Sequence, residues 1–282
     1  MAASAIARTA GSIACLCLLA LSPSLAAAQQ AATSFDPYAG AAPIAVMVEV
    51  EPDLLVAGSD MPRIAIYENG EVVFAQRTGN GLSYRRIMLD PSRMTELRAR
   101  IRATLRTGDL RSVYEADGTA RAGETRLFLR DAQRSIAVSL RQRSTAATVA
   151  SPAVPAALRG LRDWLRDFDA VGAPVWQPKY IEVMLWPNPE AVDESIAWPP
   201  EWPSLRSPRA IARGQMVSIY LDGSALPALR DFLATQRPKG AVLIGGRKMA
   251  VDFRYVFPSE PTWRRAFAAL PTHPTAAGSV LE

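Results

Sequence analysis

Residues 87–98, IMLDPSRMTELR, carry an apolar strand into a helix, and residues 219–230, IYLDGSALPALR, match them at six of twelve positions. In each copy an Asp stands where its side chain can accept the free backbone N–H groups at a helix start. A hairpin and another helix follow each copy, so the pattern predicts a tandem duplication. The alternative is coincidence, because any Asp-capped amphipathic helix after a strand shares part of this pattern.

The first of these helices is predicted to begin after Asp90, with Pro91 at its first position, and to close at Gly108. One apolar stripe at helical spacing comprises Met94, Leu97, Ile101 and Leu105. The arginines that point away from this stripe are Arg98, Arg100, Arg102 and Arg106. Further helices are predicted around residues 158–168, 225–236 and 263–270.

Strands and turns complete the predicted fold. Asn69-Gly70 between two β-rich runs is a strong hairpin signal, and further hairpins are predicted within residues 126–140 and 241–257. The fold class is therefore α+β, with two similar modules of antiparallel sheet and helices packed on one face. We expect the first module at residues 44–172 and the second at 173–271.

The N-terminus has the pattern of a secretory signal peptide. Arg8 is its only charge, an apolar run follows at residues 13–21, and small residues lead to Ala28. A membrane-spanning helix is the competing interpretation, but the apolar run is shorter than the about 18 residues that a bilayer requires. We predict a signal peptide at 1–28, a flexible leader at 29–43 and a disordered tail at 272–282.

Few residues suited to catalysis or metal binding remain after cleavage. Cys15 and Cys17 lie in the signal peptide, and the single histidine, His273, lies in the predicted tail. Serine triads and zinc sites of the Cys/His kind lack their usual residues. We therefore assign no catalytic residue, no metal site and no cofactor.

Two further motifs are incomplete. The residues Glu115, Asp117, Gly118 and Glu124 have an EF-hand-like spacing. The first calcium ligand would then fall on Val113, whose side chain has no oxygen to bind the ion. The glycines at 240 and 245 have P-loop spacing, but Gly-Arg follows where Lys-Ser/Thr is required. A solvated turn and a strand, respectively, are the better interpretations.

The charge is mildly basic. Lys plus Arg number 32 against 27 Asp plus Glu, and removal of Arg8 with the signal peptide leaves 31 − 27 = +4. The basic residues are scattered along the sequence, so nucleic acid is not an expected partner, whereas adhesion to anionic envelope polymers is compatible with this charge.

The proline- and tryptophan-rich segment at residues 186–208 is the most unusual part of the sequence. One hypothesis makes it an aromatic platform for a glycan or a proline-rich peptide. The candidate ligand-binding residues are Trp186, Trp198, Trp202, Glu201, Asp193 and Glu194. The preferred alternative is that the segment folds back and its indoles fill the core, since tryptophan is on average highly buried.

We expect an exported, non-catalytic binding protein of the bacterial cell envelope, periplasmic or secreted, with no transmembrane anchor after signal cleavage. Its partner is a protein or an envelope polymer, contacted through sheet edges, loops or the Trp/Pro segment. The alternative is a carboxylate-dependent hydrolase of an envelope glycan, because two suitably spaced acids suffice for that reaction. Its candidate acids are Glu182, Asp193, Glu194 and Glu201.

Overall fold

A computed structural model of the chain describes residues 35–50, 60–78, 81–108, 110–116, 123–142 and 153–271. The predicted signal peptide at 1–28 and the predicted tail with His273 lie outside the described residues, as do Asp117 and Gly118 of the EF-hand-like pattern. In the described part of the chain, no helix is long and apolar enough to cross a membrane.

The described ranges contain thirteen strands and four α-helices. The first sheet contains β1 (Pro43–Val50), β2 (Pro62–Tyr67), β3 (Glu71–Thr78), β4 (Gly81–Met88), β5 (Val113–Ala116), β6 (Glu124–Arg130) and β7 (Ser135–Gln142). The second sheet contains β8 (Tyr180–Pro187), β9 (Ile196–Ala197), β10 (Ala210–Arg213), β11 (Met216–Asp222), β12 (Val242–Ile244) and β13 (Arg247–Tyr255). The helices are α1 (Pro91–Arg106), α2 (Ala156–Arg166), α3 (Leu226–Ala234) and α4 (Glu260–Ala268).

The first sheet has the strand order β4-β3-β2-β1-β6-β7-β5, with β1 at its centre. The β5–β7 pair is parallel and the other neighbouring pairs are antiparallel. Gly70 ends the turn between β2 and β3 with a φ of 89°, a left-handed conformation that glycine adopts without steric penalty. The hairpin predicted at Asn69-Gly70 is confirmed.

Alternate residues of β1 face two separate cores, as the two-residue period of a strand requires. Met47 packs in a core with the apolar residues of α1 and α2. Val46 and Val48 pack in a second core with Trp263 and Phe267 of α4. The first sheet therefore has helices on both faces. One of these helices, α4, follows the second sheet in the chain.

The predicted start of α1 is confirmed. Asp90 Oδ1 accepts a hydrogen bond from the backbone N–H of Arg93 at 2.9 Å, and Pro91 occupies the first helical position. The residues of the predicted apolar stripe are all buried: Met94, Leu97, Ile101 and Leu105. The helix thus presents its arginine-bearing face away from the core.

The capping role predicted for Asp222, the counterpart of Asp90, is wrong. The Asp222 side chain makes no capping hydrogen bond, and the chain enters a short 3₁₀ turn, Gly223–Ala225, before α3. The carboxylate instead lies 2.9 Å from the guanidinium of Arg209, a partner that offers a charge-assisted hydrogen bond.

The second sheet has the strand order β10-β11-β8-β13-β12-β9. Its β12–β9 pair is parallel, and its other pairs are antiparallel. β12 and β13 form the predicted hairpin around Gly245 and Gly246, whose φ angles of 56° and 77° suit a tight turn. On one face of this sheet a third core includes Leu229 of α3.

Two mixed sheets with four helices confirm the predicted α+β class with two sheet modules. The tandem duplication and the module boundaries at 44–172 and 173–271 stay predictions. The sheets differ in strand order and in the placement of helices. The sequence match is therefore the support for a common origin, and the structure adds none.

Residues 35–42, part of the stretch predicted as a flexible leader, contact the second sheet. The hydroxyl oxygens of Tyr38 and Tyr220 lie 2.9 Å apart, and the ring of Phe35 lies 5.2 Å from that of Tyr180. The backbone N–H of Ser259 donates to the carbonyl oxygen of Tyr38 at 2.7 Å. Two aromatic side chains thus anchor a stretch whose glycine, alanine and proline content indicated flexibility.

Candidate functional site

The indoles of the Trp/Pro segment pack against the third core. Trp198 is 8% exposed, and its indole N–H donates to the carbonyl oxygen of Pro203 at 3.1 Å. The Trp202 ring lies 5.0 Å from the Trp198 ring and 5.4 Å from Phe232 of α3. For these two residues this is the core-filling arrangement considered from the sequence, while Trp186 lies half-buried on β8.

The acidic residues of the same segment make separate, mostly exposed contacts. Asp193 Oδ2 accepts a hydrogen bond from the backbone N–H of Lys239 at 3.1 Å. Glu194 is 78% exposed and lies 3.4 Å from Arg237, and Glu201 is also exposed. The assignment of these acids and the three tryptophans to a ligand site stays a prediction.

The remaining hydrolase candidate, Glu182, is buried in a network of ion pairs. Arg254 pairs with both Glu182 and Glu260. All three residues are buried, with exposed fractions of 1% for Glu182, 6% for Arg254 and 0% for Glu260. Ser218 Oγ donates to Glu182 Oε1 at 2.6 Å, and the backbone N–H of Phe257 donates to Glu260 at 3.1 Å. Each carboxylate therefore already has a cation and a neutral donor.

The network continues to the chain before β2. Arg264 on α4 pairs with both Glu260 and Asp60. Burial alone would raise the pKa of Asp60, but the hydrogen bond and charge of Arg264 lower it overall. Burial would likewise lower the pKa of Arg254, but Glu260 and Glu182 raise it well above its ordinary value. These ion pairs join β8 and β13 to α4 and to the chain before β2, which is a structural role.

A more open site lies between α1 and the turn that joins β6 to β7. It is a groove of about 570 Å³, which we call the arginine groove. Its lining residues are Ile44, Glu68, Arg98, Ile101, Arg102, Arg106, Arg130, Asp131, Ala132 and Gln133. The helix forms one wall, the turn forms the other, and the buried side chains of Ile44 and Ile101 lie between them.

Positive charge is in excess around the groove, with four guanidinium groups against two carboxylates. Arg130 lies 3.1 Å from Glu68 Oε2, and Arg98 donates to the backbone carbonyl oxygen of Glu68 at 2.9 Å, which leaves its charge unbalanced. Arg102 and Arg106 form no ion pair with any described residue. The groove can therefore accept further negative charge.

The turn at the far wall is held by Asp131. Its Oδ1 accepts hydrogen bonds from the backbone N–H groups of Gln133 at 2.8 Å and Arg134 at 2.9 Å. These hydrogen bonds lower the pKa of Asp131, so its carboxylate stays ionised at neutral pH. The wall therefore offers a fixed acceptor opposite the arginines of α1.

The groove was not predicted from the sequence, although part of its signal was visible. Arg98, Arg102 and Arg106 recur every four residues, and this spacing puts them on one face of a helix. Arg130 comes from a hairpin 24 residues beyond Arg106, and only the pairing of β1 with β6 brings it near α1. Scattered charge along the sequence thus becomes concentrated charge in the fold.

Guanidinium groups suit the groove to binding and not to proton transfer. They remain protonated at all physiological pH values, and their planar forks match carboxylate and phosphate oxygens. Within the described residues, no group of three or more His, Cys, Asp or Glu side chains could hold a metal ion.

Comparison with models of known protein families, with curated proteins and with solved structures finds no match for this chain.

Proposed function

We propose that this chain is an exported, non-catalytic binding protein of the bacterial cell envelope, and that it binds an anionic envelope polymer in the arginine groove. The observation that supports this proposal is the excess of guanidinium groups over carboxylates around an open groove of about 570 Å³. Export to the periplasm or the exterior rests on the signal-peptide pattern of residues 1–28.

A polymer suits this groove better than a small anion because each contact is weak. Arg98, Arg102 and Arg106 are exposed, and an exposed ion pair contributes only about 0.2–1 kcal/mol. Useful affinity then requires several contacts at once, and a polymer provides them after a single loss of translational freedom. Binding should also weaken with added salt, since exposed charges are screened.

The direct test is binding of the purified chain to polygalacturonate, dextran sulfate and uncharged dextran, measured by calorimetry at low and high salt. We expect both charged polymers to bind, more weakly at high salt, and the neutral polymer not to bind. The double substitution Arg102→Gln/Arg106→Gln should weaken binding by about two- to thirtyfold, as expected for the loss of two contacts.

Arg100→Gln is the matched control, because Arg100 lies on the same helix, pairs with Glu96 at 2.7 Å and does not line the groove. It removes one positive charge from α1, where the double variant removes two, and should leave affinity nearly unchanged. Equal losses in the control and the double variant, or no binding of either charged polymer, would refute the proposal. The bound polymer should be recovered at its original length, and shortening would favour the hydrolase alternative instead.

A further inference from the structure

We infer that the ligand of the arginine groove is an acidic glycan that lies along α1 with its acidic groups in register with successive arginines. This inference depends on the proposed function, because it specifies what the same groove binds. It adds a ligand class, a direction of binding and a spacing of charges.

The spacing follows from helix geometry. Arg98, Arg102 and Arg106 stand four residues apart, and at about 1.5 Å per residue they form a row with steps of about 6 Å and a length of about 12 Å. All three line the groove, so the groove follows the helix axis over two turns. A linear chain with an oxyanion every about 6 Å would meet all three guanidinium groups at once.

The opposite wall indicates hydroxyl groups on the same ligand. On this wall Asp131 supplies a carboxylate and Gln133 supplies an amide, and Glu68 in the β2–β3 turn adds a second carboxylate beside Arg130. A ligand that carries only oxyanions would be repelled by these acceptors. A glycan with acidic sugars offers both oxyanions for the arginines and hydroxyl donors for this wall, and the apolar surface of Ile44 and Ile101 lies between the two.

Single-stranded nucleic acid is the other linear polyanion with closely spaced charges. Proteins that bind it stack bases on aromatic side chains. The described residues that line the groove include no aromatic residue on which a base could stack. The lining therefore favours the glycan.

The test is a length series of oligogalacturonates from one to four sugars, titrated into the purified chain by calorimetry. Affinity should rise by up to about fivefold for each sugar added up to three, since each brings one more guanidinium contact, and change little from three to four. Arg102→Gln, in the middle of the row, should flatten this rise, whereas Arg100→Gln should leave it intact. Circular dichroism and thermal unfolding of both variants would establish that they are folded.

The outcomes separate this inference from the proposed function. If a monogalacturonate binds as tightly as the trimer while charged polymers still need Arg102 and Arg106, the groove binds anions but the alignment along α1 is wrong. If single-stranded DNA of matched charge binds more tightly than the galacturonate series, the ligand class is wrong. If no charged polymer binds at all, the proposed function fails as well.

Discussion

At the scale of single residues, one guanidinium group pairs with two buried carboxylates. Arg254 lies between Glu182 and Glu260, and all three side chains are at most 7% exposed. An ion pair of this kind contributes little net stability when intact, because burial costs each charge its hydration. The removal of one partner is costly, because it leaves a buried charge without compensation.

Replacement of Arg254 by leucine should therefore destabilise the fold by about 3–5 kcal/mol, the range for a buried pair that loses one partner. Urea unfolding followed by circular dichroism would measure the change. Arg265→Leu removes the same group from an exposed position on α4 and should cost far less. Similar losses in the two variants would show that the network does not hold the sheets together.

Glu124 should make the stability of the fold depend on pH. Burial alone would raise its pKa, but hydrogen bonds from Arg126 and Ser139 lower it below the ordinary value of 4.5. A carboxyl with a lowered pKa stabilises the fold above its ordinary pKa, and this stability is lost as the pH falls through the folded-state value.

We therefore expect Glu124→Gln to reduce the free energy of unfolding most at about pH 7, with the gap to the parent protein closing below about pH 4.5. Urea titrations across that range would measure it. A gap that stays constant at every pH would mean that the ionised form of Glu124 is not what the fold uses.

At the scale of elements, α1 serves the core and the groove with adjacent faces, and Ile101 belongs to both. Its apolar stripe was readable from the sequence because the 3.6-residue period shows directly which residues are buried together. The start of the helix at Asp90-Pro91 was readable for a similar reason, since capping depends on neighbours in the chain. The ion pair between Asp222 and Arg209 could not be predicted from the sequence. For that reason the capping role predicted for Asp222 is wrong.

The turn between β11 and α3 depends on a glycine. A Cβ atom built on Gly223 would lie 1.7 Å from the carbonyl oxygen of Pro178, a backbone atom that cannot move aside cheaply. Gly223→Ala should therefore cost about 1–3 kcal/mol of stability through overpacking.

Gly160 in α2 is the matched control, because a Cβ there meets no atom within 4 Å. Gly160→Ala should stabilise the protein by about 0.5–1 kcal/mol, since alanine loses less backbone entropy in a helix. Both changes can be measured by urea unfolding, and a stabilising Gly223→Ala would contradict the described packing of this turn.

At the scale of the whole molecule, the long-range contacts were the part that the sequence could not predict. A helix was predicted around residues 263–270, but not that it packs on the first sheet through Trp263 and Phe267. The same limit applied to the groove, which needs Arg130 on β6 beside the arginines of α1. Local patterns predict elements, whereas the pairing of distant elements depends on the packing of all three cores.

Export is a property of the whole chain that can be tested separately. Expressed with its own N-terminus in a bacterial host, the protein should appear outside the cytoplasm with a mass that corresponds to cleavage after Ala28. Mass spectrometry of the periplasmic and extracellular fractions would measure this. Retention of the full-length protein in the cytoplasm would contradict the envelope location in the proposed function. The binding of anionic polymers would then be tested separately.

The most direct test of polymer binding in the arginine groove is a crystal structure of the chain with bound trigalacturonate. We expect electron density for the sugar along α1, with its carboxylates next to Arg98, Arg102 and Arg106. Density at Trp186, Trp202 or Glu201 of the Trp/Pro segment, with the groove empty, would contradict the account and return the binding site to that segment.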